Sequence, residues 1–434
     1  MLRRLDLRGL SGDALASRLP RPPAASDLPV GAVRDIIDAV RSGGDAALAE
    51  LTQRFDGVKV ASPVVDPDWV AAAPGRVPAR LTMALTAARD AIEAYHRHTL
   101  RSIDPYSRGG VGVVELRRPV QRAGCYVPGG RARYPSSVLM TAVPAKVAGV
   151  PEVALCVPPG PSGEIDDATL AAAALAGVDE VYRVGGAQAV AALAYGTESV
   201  RPVDVVVGPG NVYVSVAKRE VAGVVGVPSG FAGPSEVVVV ADETTPARHA
   251  ALDVVVQAEH GPDGLAWLVT WSERVADEVG AAVSEIVAAS PRRSEIRSTL
   301  DKGGYAAIVD NPAAALHVSN AIAPEHLELL CDQPESLLPL VRRAGAVFCG
   351  PWSPASVGDY LAGPSHVLPT YGTARFSSVL GVDDFVTRVH AITLDRQALE
   401  QVGPDVVTIA DAEGLQAHAL AVSERLATSE RLAT

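Results

Sequence analysis

Apolar residues recur at three-and-four spacing through 14–19, 33–55 and 80–97, so the first hundred residues read mostly as helices parted by Pro- and Gly-rich linkers. From about residue 112 the pattern shifts to short Val-rich runs between amphipathic stretches. Strands are predicted at 113–116, 123–127, 152–157, 180–184 and 204–207, with helices at 136–147, 167–175, 187–195 and 211–221. A second array follows, with strands at 236–240, 266–270, 305–309, 327–331 and 346–348 and helices at 246–260, 275–289, 312–322 and 334–343. Short, continuously apolar strands between helices imply parallel sheets covered on both faces. The fold class is therefore α/β: two Rossmann-like, incomplete parallel-sheet modules in tandem, with helical N-terminal and C-terminal extensions. No residue-level repeat relates the arrays. The hexapeptide 423–428 is repeated as 429–434 and reads as a frayed helical tail.

Composition narrows the class further. A chain of 434 residues calls for two or three domains, and 48% hydrophobic with 20% charged residues is that of a soluble globular protein. A net charge of -12 disfavours nucleic acid or an anionic membrane as main partner. No apolar run approaches the roughly 18 residues needed to cross a bilayer. The start has charges but no apolar stretch behind them, unlike a signal peptide. Cys125, Cys156, Cys331 and Cys349 are scattered without a CxxC pair, which fits a reducing cytoplasm.

Three polar clusters carry the candidate chemistry. Gln257 and His260 stand three apart at a helix end, so both can converge on one point, and an amide oxygen with an imidazole nitrogen suits Zn²⁺ or a similar ion. The plain alternative is a helix cap ahead of Gly261-Pro262. Glu325-His326 could activate water and accept protons, or form a solvated turn. If helix 246–260 runs antiparallel to the strands, both clusters fall on the amino edge of the second sheet. That is opposite to the usual ligand crevice of an open α/β sheet, so a cleft between domains or subunits is expected. The third cluster runs from Gly358-Asp359-Tyr360 to Ser365-His366 and Thr370.

Glycine turns at Pro128-Gly129-Gly130, Gly185-Gly186 and Gly208-Pro209-Gly210 each follow a strand and precede a helix. Backbone amides at such turns can approach phosphates, and three along one edge fit a nucleotide better than three independent tight turns. Cys125 could be an aldehyde-trapping thiol, but a small buried cysteine is the better account. His96 and His98 lack a carboxylate at metal spacing and read as a solvated helix face.

Together these stretches resemble the histidinol dehydrogenase family. The matching segments are 124–130, 185–189, 208–213, 232–236, 257–263, 323–329 and 358–370, in family order over about residues 110–420. The resemblance implies oxidation of L-histidinol to L-histidine by two NAD⁺ and water, through bound L-histidinal, as the last step of histidine biosynthesis. It places zinc ligands at Gln257, His260, Asp359 and His418, the last supplied across a homodimer with a shared active site. Substrate contacts fall on Ser235, Gln257, His260, His326, Asp359, Glu413 and His418. NAD contacts fall on Tyr126, Gln188 and Asn211.

In the implied mechanism, His326 takes the hydroxyl proton as hydride leaves, Glu325 activates the water that attacks the aldehyde, and His326 serves again in the second oxidation. The implied domains are an N-terminal helical segment (1–25), a substrate and zinc domain (26–120 with 235–380), an NAD domain (121–234) and a dimer-contact segment (381–434). Two rivals remain from the residues alone: a zinc hydrolase with Glu325 as base, and a non-catalytic binding protein that kept the fold. The absence of an HExxH motif weighs against the first.

Overall fold

The computed structural model describes residues 1–20, 28–129, 133–228, 235–259 and 264–431. His260, with Gly130, 232–234 and 261–263 of the motifs above, lies outside the described residues.

The chain opens with strand β1 (Arg3–Asp6) and helices α1 (Gly12–Arg18), α2 (Val30–Asp56), α3 (Pro67–Ala71) and α4 (Ala79–Thr99). Strands β2 (Tyr106–Arg108) and β3 (Val111–Pro119) come next. The first β/α array comprises β4 (Arg122–Tyr126), α5 (Pro135–Val147), β5 (Glu152–Cys156), α6 (Asp167–Ala176), β6 (Glu180–Tyr182), α7 (Gly186–Tyr195), β7 (Val205–Val207) and α8 (Val212–Val221). The second begins with β8 (Glu236–Val240), α9 (Ala247–Ala258), β9 (Leu265–Thr270), α10 (Glu273–Ala289) and α11 (Arg293–Gly303). It continues through β10 (Gly304–Ile308), α12 (Pro312–Ile322), β11 (His326–Leu329), β12 (Ala346–Cys349) and α13 (Ala355–Tyr360). Strand β13 (Val386–Thr393) and helices α14 (Arg396–Ala412) and α15 (Gln416–Arg431) end the chain.

Both arrays form all-parallel sheets, ordered β6-β5-β4-β7 and β1-β10-β9-β8-β11-β12. Numbered from its own first strand, the first array runs 3-2-1-4 and the second 3-2-1-4-5 with β1 added beside its third strand, the order of a doubly wound fold. The sequence reading of two similar modules is thus expressed as one shared topology. Alternation within the strands explains the double burial. Val237 and Val239 face the core under α9 and α10, whereas Val238 and Val240 face the core under α1 and α12. The first sheet divides likewise: Cys125 enters the core with α5 and α6, and Tyr126 the core with α2 and α7.

The chain divides into two compact units, residues 1–99 with 120–385, and 100–119 with 386–434. In the second unit β3 pairs antiparallel with both β13 and β2, and α14 packs on α15. The terminal extensions are mainly helical, but each also carries a strand, β1 and β13. Their largely exposed residues lack the apolar continuity that marked the central strands. The segment expected as a helix at 334–343 is a 3-10 stretch, Pro334–Leu340, because Pro339 cannot donate an α-helical hydrogen bond.

Candidate active site

Helix α12 ends on Ala323, held in the left-handed region (φ 54°), and Pro324 prevents its continuation. The chain therefore turns directly into β11, and Glu325-His326 enters the sheet beside β8. The backbone of Glu236 holds both side chains. Its N–H donates to Glu325 Oε2 at 3.1 Å, and its carbonyl faces His326 Nδ1 at 3.1 Å. A carbonyl can only accept, so Nδ1 carries the proton and Nε2 keeps its lone pair. His326 is 3% exposed, and burial lowers its pKa against the pull of Asp359 and the Glu236 carbonyl, which favours the neutral base.

His326 Nε2 lies 2.7 Å from His366 Nε2, and the rings stack with centroids 4.8 Å apart. Since His326 Nε2 accepts, His366 donates, and the same nitrogen lies 3.3 Å from Asp359 Oδ1. Asp359 rides on α13, whose approach depends on Gly358. A Cβ there would meet Phe348 Cζ at 2.6 Å and His366 Cε1 at 2.9 Å. The His366 backbone is anchored on the first array: Ser365 Oγ donates to the Met140 carbonyl at 2.8 Å, and the His366 N–H points at Met140 Sδ. His96 completes the anchor, its Nε2 accepting the Ser365 N–H at 3.2 Å. This corrects the reading of His96 as solvated. It is 1% exposed and burial lowers its pKa to about 4, whereas His98 is exposed.

Two carboxyl groups that sequence reasoning did not single out lie within the same region. Glu236 is 2% exposed, and burial together with Glu325 pushes it up to about 8 despite hydrogen bonds from the Tyr371 and Gly372 amides. Tyr371 occupies the left-handed region (φ 62°) to make that contact. A protonated Glu236 leaves Glu325 free to hold the negative charge. Glu328 is fully buried and is pushed up to about 9 by burial and by Asp253, with Asp359 adding to the effect. The signal available was a lone acid in each of two otherwise apolar strands, Glu-Val-Val-Val-Val and His-Leu-Glu-Leu.

Gln257 ends α9 at the same amino edge, since Leu265 opening β9 pairs with Glu236 opening β8. Ser235 stands immediately before β8 and accepts the Leu265 N–H at 3.1 Å. Asp253 precedes Gln257 by one helical turn, and the Glu328 carboxyl senses both Asp253 and Asp359. Gln257 is 4% exposed, and its Nε2 has no partner among the described residues. Among those residues no three His, Cys, Asp or Glu side chains cluster as a metal site. The expected ligands are not such a cluster: one is an amide, His260 lies outside the described residues, and His418 belongs to the second unit. Glu413 is the C-cap residue of α14 and His418 lies on α15, both exposed.

The remaining expected residues gather at the carboxyl edge of the first sheet. The buried Tyr126 hydroxyl accepts the Gly186 N–H at 3.1 Å. Gln188 lies in the first turn of α7, 1% exposed, with neither amide atom partnered among the described residues. Asn211 caps α8, accepting from Tyr213 and Val214 at 3.0 and 3.1 Å. Only glycine suits position 208: its φ is 112°, and a Cβ would lie 2.0 Å from the Tyr126 carbonyl oxygen. Buried Lys218 donates to the Gly208 carbonyl at 2.9 Å. Cys125 is fully buried, with its thiol pushed up to about 12, which does not suit a nucleophile.

Tandem parallel modules, glycine turns along one carboxyl edge and a buried carboxylate–imidazole couple define an α/β enzyme of the oxidoreductase class. Similar proteins agree. The family profile described as histidinol dehydrogenase matches residues 20–426. The histidinol dehydrogenase of Bacillus cereus is 47% identical over 394 residues, 91% of each chain, and that of Syntrophotalea carbinolica 46% over 427 residues, 97% of each. The crystal structure of histidinol dehydrogenase from Elizabethkingia anophelis superposes with a TM-score of 0.94 at 32% identity, covering 99% of both chains. The chain belongs to the histidinol dehydrogenase family.

Proposed function

We propose that this chain oxidises L-histidinol to L-histidine with two NAD⁺, through bound L-histidinal, in a homodimer whose active site is shared. The observation that carries this reading is the double hold of Glu236 on Glu325 and His326, which leaves a neutral imidazole with its basic Nε2 turned toward His366, beside a carboxylate. His326 Nε2 takes the hydroxyl proton in the first oxidation. Glu325 draws the proton from water as it adds to the aldehyde carbon, and His326 takes the hydrate proton in the second oxidation. A positioned base of this kind is worth about 10² to 10⁴ in rate. Bound NAD⁺ supplies the hydride acceptor for both oxidations.

The residues present also fit zinc. The buried, half-unpartnered Gln257 amide can turn its oxygen toward a cation, and Asp359 offers a carboxylate. His260 and His418 of the partner subunit would complete an oxygen–nitrogen ligand set. Bound zinc supplies a Lewis-acid anchor for the substrate's nitrogen atoms, fixing the reacting carbon. The dimer is supported by the second unit, where Ile392, Ile409, Leu415 and Leu420 are exposed together with His418. Tyr126, Gln188 and Asn211 would hold the dinucleotide over the glycine turns. The four cysteines are all unpaired, which suits a cytoplasmic enzyme.

The test is NADH absorbance on mixing zinc-loaded protein with histidinol and NAD⁺. Two NADH per histidinol consumed are expected; a flat trace with folded, zinc-loaded protein would overturn the reading.

A further inference from the structure

A dinucleotide held on a doubly wound half-sheet ordinarily meets an acidic residue at the end of the strand after the first glycine turn, where it binds the adenosine ribose. Here that strand is β5, and it is followed by Val157-Pro158-Pro159-Gly160, without an acid. Another carboxylate reaches the same edge from outside the array. Helix α2 is interrupted at Gly44, and its second half packs against α7. Asp45 accepts the Thr197 hydroxyl at 2.6 Å, just beyond the C-terminal end of α7. The eleven residues from Asp45 to Asp56 span about 16 Å at the helical rise, roughly the length of α7 itself. Asp56 therefore comes level with the start of α7, where Gly186 meets the Tyr126 hydroxyl and where Gln188 is buried with its amide unpartnered. The electrostatic influence of Asp56 on Tyr126 agrees with this placement.

Among the described residues no hydrogen-bond donor reaches the Asp56 Oδ2. Asp56 is the last residue of α2, so it faces the negative end of the helix dipole. It is half-buried, its Oδ2 has no hydrogen-bond partner among the described residues, and burial raises its pKa to about 6. An unpartnered carboxyl oxygen acting on Tyr126, at the end of the sheet where the Gln188 amide is also unpartnered, marks a place for a ligand with hydroxyl donors.

We infer that Asp56 is the cofactor-specificity residue of this enzyme, accepting the 2′-hydroxyl of the adenosine ribose of NAD⁺ and repelling the 2′-phosphate of NADP⁺. The inference rests on the proposed dinucleotide site over the first module. A hydroxyl donates to the carboxylate in a charge-assisted bond, whereas a phosphate brings two further negative charges with no donor to offer.

The experiment measures NAD⁺ and NADP⁺ dissociation constants by titration calorimetry on zinc-loaded protein, for wild type, Asp56→Asn and Gln188→Ala, with zinc content and histidinol affinity as controls. Asp56→Asn is expected to weaken NAD⁺ about tenfold while leaving NADP⁺ unchanged or tighter, so that the preference for NAD⁺ shrinks. Zinc content and histidinol affinity stay at wild-type values. Equal weakening of both dinucleotides would show a structural role and overturn the inference. An unchanged Asp56→Asn beside a weakened Gln188→Ala would overturn it while leaving the site in place. If neither variant changes NAD⁺ affinity, the dinucleotide site itself is misplaced and the inference falls with it. Should Asp56→Asn fail to fold, Asp56→Ser serves as the second neutral variant under the same criteria.

Discussion

The ring nitrogens His326 Nε2 and His366 Nε2 lie 2.7 Å apart, joining the second sheet to a segment anchored on the first array. His326 belongs to the second sheet. His366 takes its backbone anchors from Met140 on α5 and, through Ser365, from His96 on α4. The proton-accepting nitrogen is thus aimed by residues of the first array.

Removing the base and removing its aiming partner should differ in degree. His326→Asn is expected to cut kcat for both oxidations by about 10² to 10⁴. His366→Asn, which loses the aim but keeps the base, should cost about fivefold, since a positioned hydrogen bond is worth roughly 1 kcal/mol. Steady-state kinetics with histidinol and with histidinal would decide; equal losses in the two variants would remove the distinction.

Glu325→Gln should slow oxidation of histidinal far more than oxidation of histidinol, because only the aldehyde step consumes water. Separate single-turnover measurements of the two half-reactions check this. Equal slowing of both would reassign Glu325 to substrate binding.

A shared site predicts complementation. His418→Asn should lower zinc occupancy measured by metal analysis. Mixing it with a Gln257→Ala protein should restore activity in heterodimers, since one of the two sites then carries both lesions and the other carries neither. Absence of recovery after proven subunit exchange would mean each chain builds its own site.

Stability should respond to pH with a worked sign. Glu236 and Glu328 titrate near 8 and 9 in the fold, against 4.5 for the ordinary side chain, so the native state holds more protons than the unfolded one. Their contribution is fully present below about pH 4.5 and is lost as pH rises toward 8 and 9. Glu236→Gln should therefore gain stability relative to wild type progressively across that window. His96 has the opposite sign: its pKa falls from 6.5 to about 4, so its contribution is lost as pH drops through that interval. Urea unfolding midpoints from pH 4 to 9 test both slopes.

Gly358→Ala should destabilise by about 1–3 kcal/mol, because the added methyl must displace Phe348 or the His366 ring. Denaturant unfolding measures the loss. Activity should fall further than stability, since His366 is the group displaced.

Much was legible along the chain because it is written in local periodicity. Apolar runs such as Val205–Val207 and Glu236–Val240 announce buried parallel strands, and helices between them allow little but an α/β fold. Glu325-His326, Gln257 and Asp359 were visible because polar residues at element ends stand out against that background. Glu236 and Glu328 were missed because a single acid in an apolar strand has no period to betray it, and Asp253 because an acid on a helix reads as a solvated face. His96 was misread because helical spacing does not say which neighbour will cover a face.

The sequence by itself determined the central strands and helices, the paired modules and the family, since these depend on side-chain chemistry read over a few residues at a time. Tertiary structure alone decided that the Glu236 backbone clamps both Glu325 and His326, and that His366 is aimed from the first array. It alone brought Asp56 near enough to act electrostatically on the Tyr126 hydroxyl. Those relations join residues 89 to 269 positions apart in the site. Only packing, which brings such separations within hydrogen-bond range, can set them.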